Sequence, residues 1–393
     1  MITYIIPTRN RPEQLAQTLE AIDRLGDHGS GAEVIVADNA SDPPAWTPQW
    51  LGSGAPVKLM RRDRNEAAAA RNAAAREASE DSTWLVMLDD DSHPLDARFI
   101  EALSEMPGDV GAVAAEVFVP GGEMPAITLG MGVDARDFAS SLAAPTRHES
   151  GGLPEVFVGC GVALRRDLFL RLGGYDATFD YYAEEYDLAA RMIAAGFRVL
   201  FDRRFRVLHR KVTTGRDFGR IIRRLVRNNA WVAQRYAPTD ARLGELRETI
   251  TRYAGIAWKE GVSSSYLRGV WELAGTLSRQ PRTPLEPAHW DRLTGLHHAR
   301  VALAAADAQQ PLGRVALVDR GKNAWAAEKA LAELGVRVIP DERGADTLVI
   351  GTMSPGPMLD ALTTWTRLGR RVVAPWVEAR DIVRTPHGRM LVA

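Results

Sequence analysis

Short apolar runs alternating with amphipathic stretches organise the first half of the chain. Ile2 to Ile6, Glu33 to Ala37 and Val57 to Met60 are three such runs, and Trp84 to Leu88 is a fourth. Runs of this length, bounded by polar or turn residues, predict buried strands. Between the first two, Leu15, Leu19 and Ile22 recur at helical spacing. Asn10 followed by Glu13 matches a capping box, and Pro12 suits a first helical turn. Asn65 to Ser79 is Ala-rich and predicts a second helix by propensity. Asp42 to Pro56 carries Pro, Gly and Trp and reads as a loop. The alternation predicts an α/β domain with a largely parallel sheet.

The pattern continues beyond Leu88. Val110 to Val119 predicts another strand, and the Gly- and Pro-rich stretch Gly121 to Pro154 a loop that would serve as a lid. Glu155 to Leu164 reads as a strand interrupted by Gly159 and Gly161, which suit a bulge or close approach to a ligand. Cys160 between them reads as a small buried residue. Leu188, Met192 and Ala195 suit a buried helix face, Gly196 ends that helix, and Arg198 to Phe201 is the last strand of the domain. Residues 216–236 predict a helix with Arg216, Arg220, Arg223, Arg224, Arg227 and Arg235 on it and Phe218, Ile221, Ile222, Leu225 and Val232 as its apolar side. This helix fits a basic face over a binding site, a membrane-surface helix, or a solvated face. Further helices fill 240–308, with a break at Pro281 to Pro287. A second alternation follows: strands at Arg314 to Val318, Val336 to Ile339, Thr347 to Ile350 and Arg371 to Ala374, with helices at Asn323 to Leu334 and Pro357 to Leu368. The expected organisation is therefore an α/β domain over 1–215, a helical segment over 216–308 and a small α/β, Rossmann-like unit over 312–393. Asp319-Arg320-Gly321-Lys322 could seat an anion at a helix N-terminus.

Composition narrows the classes. The 393 residues are 46% hydrophobic and 25% charged, ordinary for a globular protein, and the net charge of −1 gives no basic field for nucleic acid. The single cysteine excludes an intramolecular disulfide and a Cys-rich zinc site. No run reaches the ~18 apolar residues of a membrane span, and Met1 to Pro7 has no basic n-region, so a cytoplasmic protein is expected.

The chemistry concentrates where strands end. The Trp84 run passes straight into Asp89-Asp90-Asp91. Adjacent carboxylates at a sheet edge are costly unless a cation shares the site, and hard cations take carboxylate and phosphate oxygens together. The second strand ends at Asp38, and the first at Pro7-Thr8-Arg9-Asn10. In open parallel sheets ligands bind beyond these carboxyl ends. No Gly-x-Gly-x-x-Gly follows the first strand, and no P-loop motif is present. Near Gly173-Gly174-Tyr175-Asp176, a second acidic group, Glu184-Glu185-Tyr186-Asp187, opens a helix where the macrodipole favours it, and Asp187 can pair with Arg191 at i, i+4. A plain acidic turn and ordinary helix-start charges remain the competing readings of the two clusters.

Residues 1 to about 215 resemble the family 2 inverting glycosyltransferases of GT-A fold. The resemblance is carried by Ile6-Pro7-Thr8-Arg9-Asn10, Val36-Ala37-Asp38-Asn39-Ala40-Ser41, Ala70-Arg71-Asn72, Leu88-Asp89-Asp90-Asp91, Gly173-Gly174-Tyr175-Asp176, Glu184-Glu185-Tyr186-Asp187-Leu188 and His209, in the family's order. It implies a sheet that binds a nucleotide-diphosphate sugar, UDP- or dTDP-linked by family habit. It places Thr8 and Asp38, with Pro7 and Arg9 beside them, at the base and ribose. Arg71 and Asn72 would lie against the nucleotide or diphosphate, and Asp89 and Asp90 would face the ribose side. Asp91, with Asp89 and His209, would hold Mn²⁺ or Mg²⁺. The same resemblance makes Glu185 the general base, although the family has Asp there, and gives Glu184 to an acceptor hydroxyl or to capping. His209 also fits a surface imidazole among Arg206, Arg210 and Lys211. The acceptor is not named by any motif. Two other classes compete: a sugar nucleotidyltransferase, which would want a Gly-rich basic loop that Pro7 to Pro12 does not supply, and a non-catalytic nucleotide-sugar or protein-binding module.

Overall fold

The structure, a computed structural model, describes residues 1–26, 28, 31–120, 146–150, 155–210, 217–377, 383–384 and 390–391. Most of the expected lid, Gly121 to Pro154, and the basic residues Lys211 and Arg216 lie outside the described residues. The chain divides into two compact units. One comprises Met1–Ala114, Val156–Leu200 and Lys211–Trp290; the other comprises Ala115–Glu155, Phe201–Arg210 and Asp291–Ala393.

The strands are β1 Ile2–Thr8, β2 Ala32–Asp38, β3 Val57–Arg61, β4 Trp84–Met87, β5 Ser92–Pro94, β6 Val110–Pro120, β7 Thr146–Ser150, β8 Val162–Arg165 and β9 Arg198–His209. Their order in the sheet is β3-β2-β1-β4-β8-β6-β9-β5, with β7 pairing β6. The first four are parallel. Their register sets Thr8 beside Asp38 and Asp38 beside Arg61, so these ends share one edge. β4 leaves the sheet at Met87, on that edge, and its carboxylates follow.

The sheet is mixed rather than largely parallel. β8 runs antiparallel to β4, with Val162 opposite Met87 and Arg165 opposite Trp84. The expected strand from Glu155 forms only from Val162, so the chain enters β8 at the site edge and must run against β4. Residues before it are committed elsewhere: the Cys160 carbonyl accepts from the Ser92 hydroxyl at 2.9 Å, and the Gly159 amide donates to Glu185. The last strand is longer than Arg198 to Phe201 and runs on to His209.

Two helices differ from their sequence expectation for local reasons. The capping box before α1 (Pro12–Asp23) does not form. Asn10 is in the left-handed region at φ 54°, and its Oδ1 accepts the Asp42 amide instead. Arg11 becomes the N-cap residue, with Pro12 at the first helical position as expected. The Ala-rich stretch is helical only as a 3₁₀ turn, Ala67–Ala69, and α2, Ala70–Arg76. Its buried Ala70, Ala73, Ala74 and Ala75 are small enough for close approach to β1 and β2.

α3 (Arg98–Ser104), α4 (Arg166–Arg171) and α5 (Glu184–Ala194) complete the α/β part. In α5 Leu188 and Met192 are buried, Ala195 beyond its end is exposed, and Gly196 at φ 84° stops it. Three helices follow: α6 Phe218–Tyr236, α7 Arg242–Lys259 and α8 Ser263–Thr276. Ile222 and Val226 of α6 pack with Tyr253 and Ala257 of α7. Gly269 of α8 lies against α6 so closely that a Cβ there would sit 2.6 Å from the Arg223 carbonyl. Among the described residues no helix is long and apolar enough to cross a membrane.

The second unit contains α9 (Pro287–Thr294, begun in the first unit), α10 (Leu296–Gln309), β10 (Val315–Val318), α11 (Ala324–Glu333), β11 (Thr347–Ile350), α12 (Pro355–Arg367) and β12 (Val372–Val373). β10, β11 and β12 form a parallel sheet. The expected strand Val336 to Ile339 reduces to one bridge, Val338 to Val315, because Val338 is 45% exposed and has only one neighbour to pair with. Asp319, proposed for an anion site, accepts from the Trp365 indole at 2.7 Å. The core of the sheet includes Leu296, Ala299, Leu303 and Ala306 of α10. α10 therefore belongs physically with the strands after it. Ending the chain at Gln310 would strip cover from those four residues, each 3% exposed or less. The truncated protein should bind a fluorescent apolar dye strongly and melt well below the full chain in calorimetry. An unchanged melting temperature would show that α10 does not depend on that sheet.

Candidate active site

The acidic triplet is a network rather than a solvated turn. Asp90 and Asp91 are 4% and 2% exposed. Arg11 grips both, with Nη1 donating to Asp90 Oδ1 at 2.6 Å and Nη2 to Asp91 Oδ2 at 2.7 Å. Thr8, at the end of β1, donates its hydroxyl to Asp90 Oδ2 at 2.8 Å, and Thr18 of α1 donates to the Asp90 carbonyl at 2.7 Å. Burial pushes the Asp90 carboxyl up to about 6, against the opposing pull of Arg11 and of the Thr8 hydroxyl. Asp90 is thus a structural member of the triplet. Arg11 was not picked out from the sequence, although its place one residue before the Pro12 helix start puts it at this edge.

Arg71 closes the other side. Its guanidinium, 5% exposed, pairs with Asp89 and donates to the Leu88 carbonyl at 3.1 Å. Burial is the largest single influence and opposes its charge, but Asp89, Tyr175, Tyr181 and Glu184 together outweigh it and hold the group above its usual value. Three carboxylates therefore face two guanidiniums. Asp89, Asp91 and His209, which ends β9 and is buried, each offer one ligand atom, and these atoms lie within 4.8 Å of one another. Two carboxylate oxygens and one imidazole nitrogen fit a hard or borderline divalent cation.

The remaining expected nucleotide residues divide. Asp38, 1% exposed, accepts the Ser41 amide at 2.8 Å, the Ala45 amide at 3.1 Å and Arg61 Nη1 at 3.3 Å. Burial alone would raise its carboxyl, but the Ser41 and Ala45 hydrogen bonds and Arg61 hold it below the usual range. It shapes the loop after β2. Pro7 is partly buried and Arg9 exposed, both at the same sheet edge. Asn72 spends both ends of its amide on one backbone segment: Nδ2 donates to the Tyr175 carbonyl at 2.7 Å, and Oδ1 accepts the Tyr175 amide at 2.8 Å.

The second acidic group lies beside Arg71. Glu184 and Glu185 open α5 after a loop in which Asp180, Tyr182 and Ala183 all have positive φ, 66°, 73° and 68°. Three non-glycine residues in that region are strained, and the surroundings must hold them there. Asn228 of α6, fully buried, does so, its Nδ2 lying 2.8, 2.9 and 2.7 Å from the carbonyls of Phe179, Tyr181 and Tyr182. Asp187 anchors the helix, accepting from Arg191 at 2.7 Å, Arg235 at 2.9 Å and the Tyr236 hydroxyl at 2.7 Å. Neither Asn228 nor Tyr236 carried a sequence signal, since both interactions cross long stretches of chain. Burial raises both glutamates, with the Glu185 charge adding at Glu184. Glu185 accepts the Gly159 amide at 3.3 Å, while Glu184 Oε2 is buried with no hydrogen-bond partner among the described residues. A carboxylate pair so placed holds a proton more readily than free carboxylates do.

A family model, glycosyl transferase family 2, matches residues 3–173. The O-antigen biosynthesis protein RfbC of Myxococcus xanthus is 25% identical over 229 residues, 55% of this chain and 18% of that protein, so the chain spans only a small part of this relative. The chain is similar to the mannosyltransferase PcManGT from Pyrobaculum calidifontis, solved in complex with GDP-Man and Mn²⁺, at 18% identity over 85% of each chain with a TM-score of 0.44. It is similar to S. aureus TarS 1-349 at 13% identity, over 85% of this chain and 91% of that one, with a TM-score of 0.44.

The Asn72 clamp makes a stability prediction. Gly174 has φ 71°, and a Cβ there would lie 2.3 Å from Asn72 Oδ1. Moving Asn72 away would break its two bonds to Tyr175. Gly174→Ala should cost at least the ~1–3 kcal/mol of a strained left-handed residue, read from denaturant midpoints. A neutral result would mean that the loop relaxes without Asn72.

Proposed function

This chain is a family 2 glycosyltransferase over residues 3–173, and we propose on that premise that it moves a sugar from a nucleoside diphosphate to an acceptor hydroxyl with inversion at the anomeric carbon. The observation that carries the reading is the Glu184–Glu185 pair, Glu184 buried and Glu185 half-buried and both raised, with Arg71 paired to Asp89 at the sheet edge and its charge acting on Glu184. Donor and acceptor chemistry thereby meet across one guanidinium. The family match displaces the non-catalytic reading and the nucleotidyltransferase. UDP or dTDP is the expected nucleotide.

In this reading Thr8, Asp38 and the loop it shapes, with Pro7 and Arg9, form the nucleotide side of the edge. Asn72 acts through the Tyr175 backbone and is a positioning residue. Asp89, Asp91 and His209 would hold Mn²⁺ or Mg²⁺, which when bound supplies positive charge beside the donor diphosphate. Glu185 takes the proton of the acceptor hydroxyl. The oxygen forms a bond to the anomeric carbon from the face opposite the diphosphate, and the bond to the diphosphate oxygen breaks with its electron pair leaving on the nucleotide. Arg71 fixes Asp89 and limits the charge that Glu184 and Glu185 must share. A second assignment of the base, to Glu184, is favoured by its unpartnered Oε2; the family's motif position favours Glu185.

Two predictions separate these roles. Chelation with EDTA and Asp91→Asn should each abolish transfer, measured as nucleoside diphosphate released from nucleotide sugars, while the far-ultraviolet spectrum is kept. Full turnover in excess EDTA would remove the cation from the reading. Glu185→Gln should keep donor affinity and lose about 10²- to 10⁴-fold in kcat, with Glu184→Gln milder and acting on acceptor KM. The base works deprotonated, so wild-type rate should rise with pH through a value above the ordinary carboxylate range, and that limb should vanish in the inactive variant. The reverse ranking of the two variants would move the base to Glu184.

A further inference from the structure

Helix α6 carries Arg220, Arg223, Arg224 and Arg227 at i, i+3, i+4 and i+7, which is one stripe of its surface. These four guanidiniums and Asp180 line a cleft of about 210 Å³. Asp180 is the only lining carboxylate among the described residues, and it pairs with Arg224. Outside the lining, Glu272 is shared between Arg223 and Arg227, and Arg220 has only the N-cap Asp217 at 3.6 Å. The guanidinium planes are set in advance, since Arg224 lies over the Tyr181 ring at 5.6 Å and Arg227 over Trp231 at 4.5 Å. Burial lowers the Arg227 pKa, and the nearby charges of Arg224 and Arg223 add to that. Among the described residues, four gathered and oriented guanidiniums thus face three carboxylates, Asp180, Glu272 and Asp217.

The cleft is tied to the glutamates. Asp180 begins the strained loop that delivers Glu184 and Glu185, and Asn228, one residue after Arg227, holds that loop by its carbonyls. One helix therefore presents arginines to the cleft and fixes the approach to the proton acceptor. Guanidiniums in a fork geometry select planar or tetrahedral oxyanions, and phosphoryl oxygens accept two such bonds at once. The cleft is smaller than the ~300–1,000 Å³ of ordinary ligand pockets, which suits an anionic group rather than a whole sugar.

We propose that this arginine cleft binds a phosphoryl group of the acceptor, apart from the donor diphosphate, and so orients the acceptor hydroxyl toward Glu184 and Glu185. The proposal rests on the reading of that pair as the acceptor-activating group. On binding, phosphoryl oxygens replace Asp180 as the partner of Arg224, which couples occupancy of the cleft to the loop before the glutamates.

Inorganic pyrophosphate is the probe. Titrated by calorimetry into Asp91→Asn protein in EDTA, where the donor site is disabled, it should bind one saturable, salt-sensitive site. The same titration with Arg220→Gln/Arg224→Gln added should show at least tenfold weaker binding, and Arg220→Gln alone, at a 64% exposed side chain that tolerates exchange, a smaller loss in the same direction. Equal affinity in these variants would overturn the proposal, as would a failure of pyrophosphate to bind. Sedimentation with phosphatidylglycerol vesicles in the absence of pyrophosphate binding would also overturn it, in favour of a lipid surface. Failure of the transferase reading itself shows separately, as wild-type protein that releases no nucleoside diphosphate from any nucleotide sugar.

Discussion

The placement of three adjacent carboxylates at a buried sheet edge is the constraint on which the N-terminal part of the structure depends. Side by side and largely out of water, they repel one another and lose solvation. The chain meets this with two buried or half-buried arginines from different helices. Arg11 at the start of α1 spans Asp90 and Asp91, and Arg71 of α2 holds Asp89. Both helices are thereby fixed against the ends of β1 and β4. Thr8 and Thr18 add hydrogen bonds to Asp90 from β1 and α1. At the same edge Asp89, Asp91 and His209 bring one ligand atom each within 4.8 Å of one another, the place a cation would take.

The glutamate end is built on a different principle. There the backbone is strained, and side-chain amides carry the load: Asn228 under the Asp180–Ala183 loop and Asn72 under Gly174–Tyr175. Each amide replaces water for backbone groups that no regular ladder serves. Asp187, buried and hydrogen-bonded by Arg191, Arg235 and Tyr236, then locks the helix that carries Glu184 and Glu185 to α6. Removing one partner of so buried a pair is costly, commonly about 3–5 kcal/mol, so the position of the glutamates is held far more firmly than a surface carboxylate would be. Their raised pKa follows from this burial.

The second unit follows more ordinary rules. A parallel three-stranded sheet packs on α10, α11 and α12 through small and branched residues, and its loop residue Asp319 serves the Trp365 indole. Its border lies earlier in the chain than a composition break suggests, because α10 shares the core of the strands that follow it.

Local pattern alone marked the strands β1 to β4, the helix α6, further helices between 240 and 308 with a break at Pro281 to Pro287, and the α/β character of the last part, since short apolar runs bounded by turn residues and apolar positions of period 3.6 are local signals. Motif order marked Asp89 to Asp91, Arg71, Glu184, Glu185 and His209 as residues to watch. The three-dimensional packing decided everything that joins distant chain. It set β8 against β4, after Gly159 and Cys160 are spent on Glu185 and Ser92. It turned Asn10 from a cap into a loop clamp, and it set the Asn72 amide against the Tyr175 backbone. It brought in Arg11, Asn228 and Tyr236, whose partners lie tens of residues away or more. A side chain's local spacing shows which face it occupies; only the closed structure shows which buried polar group needs it.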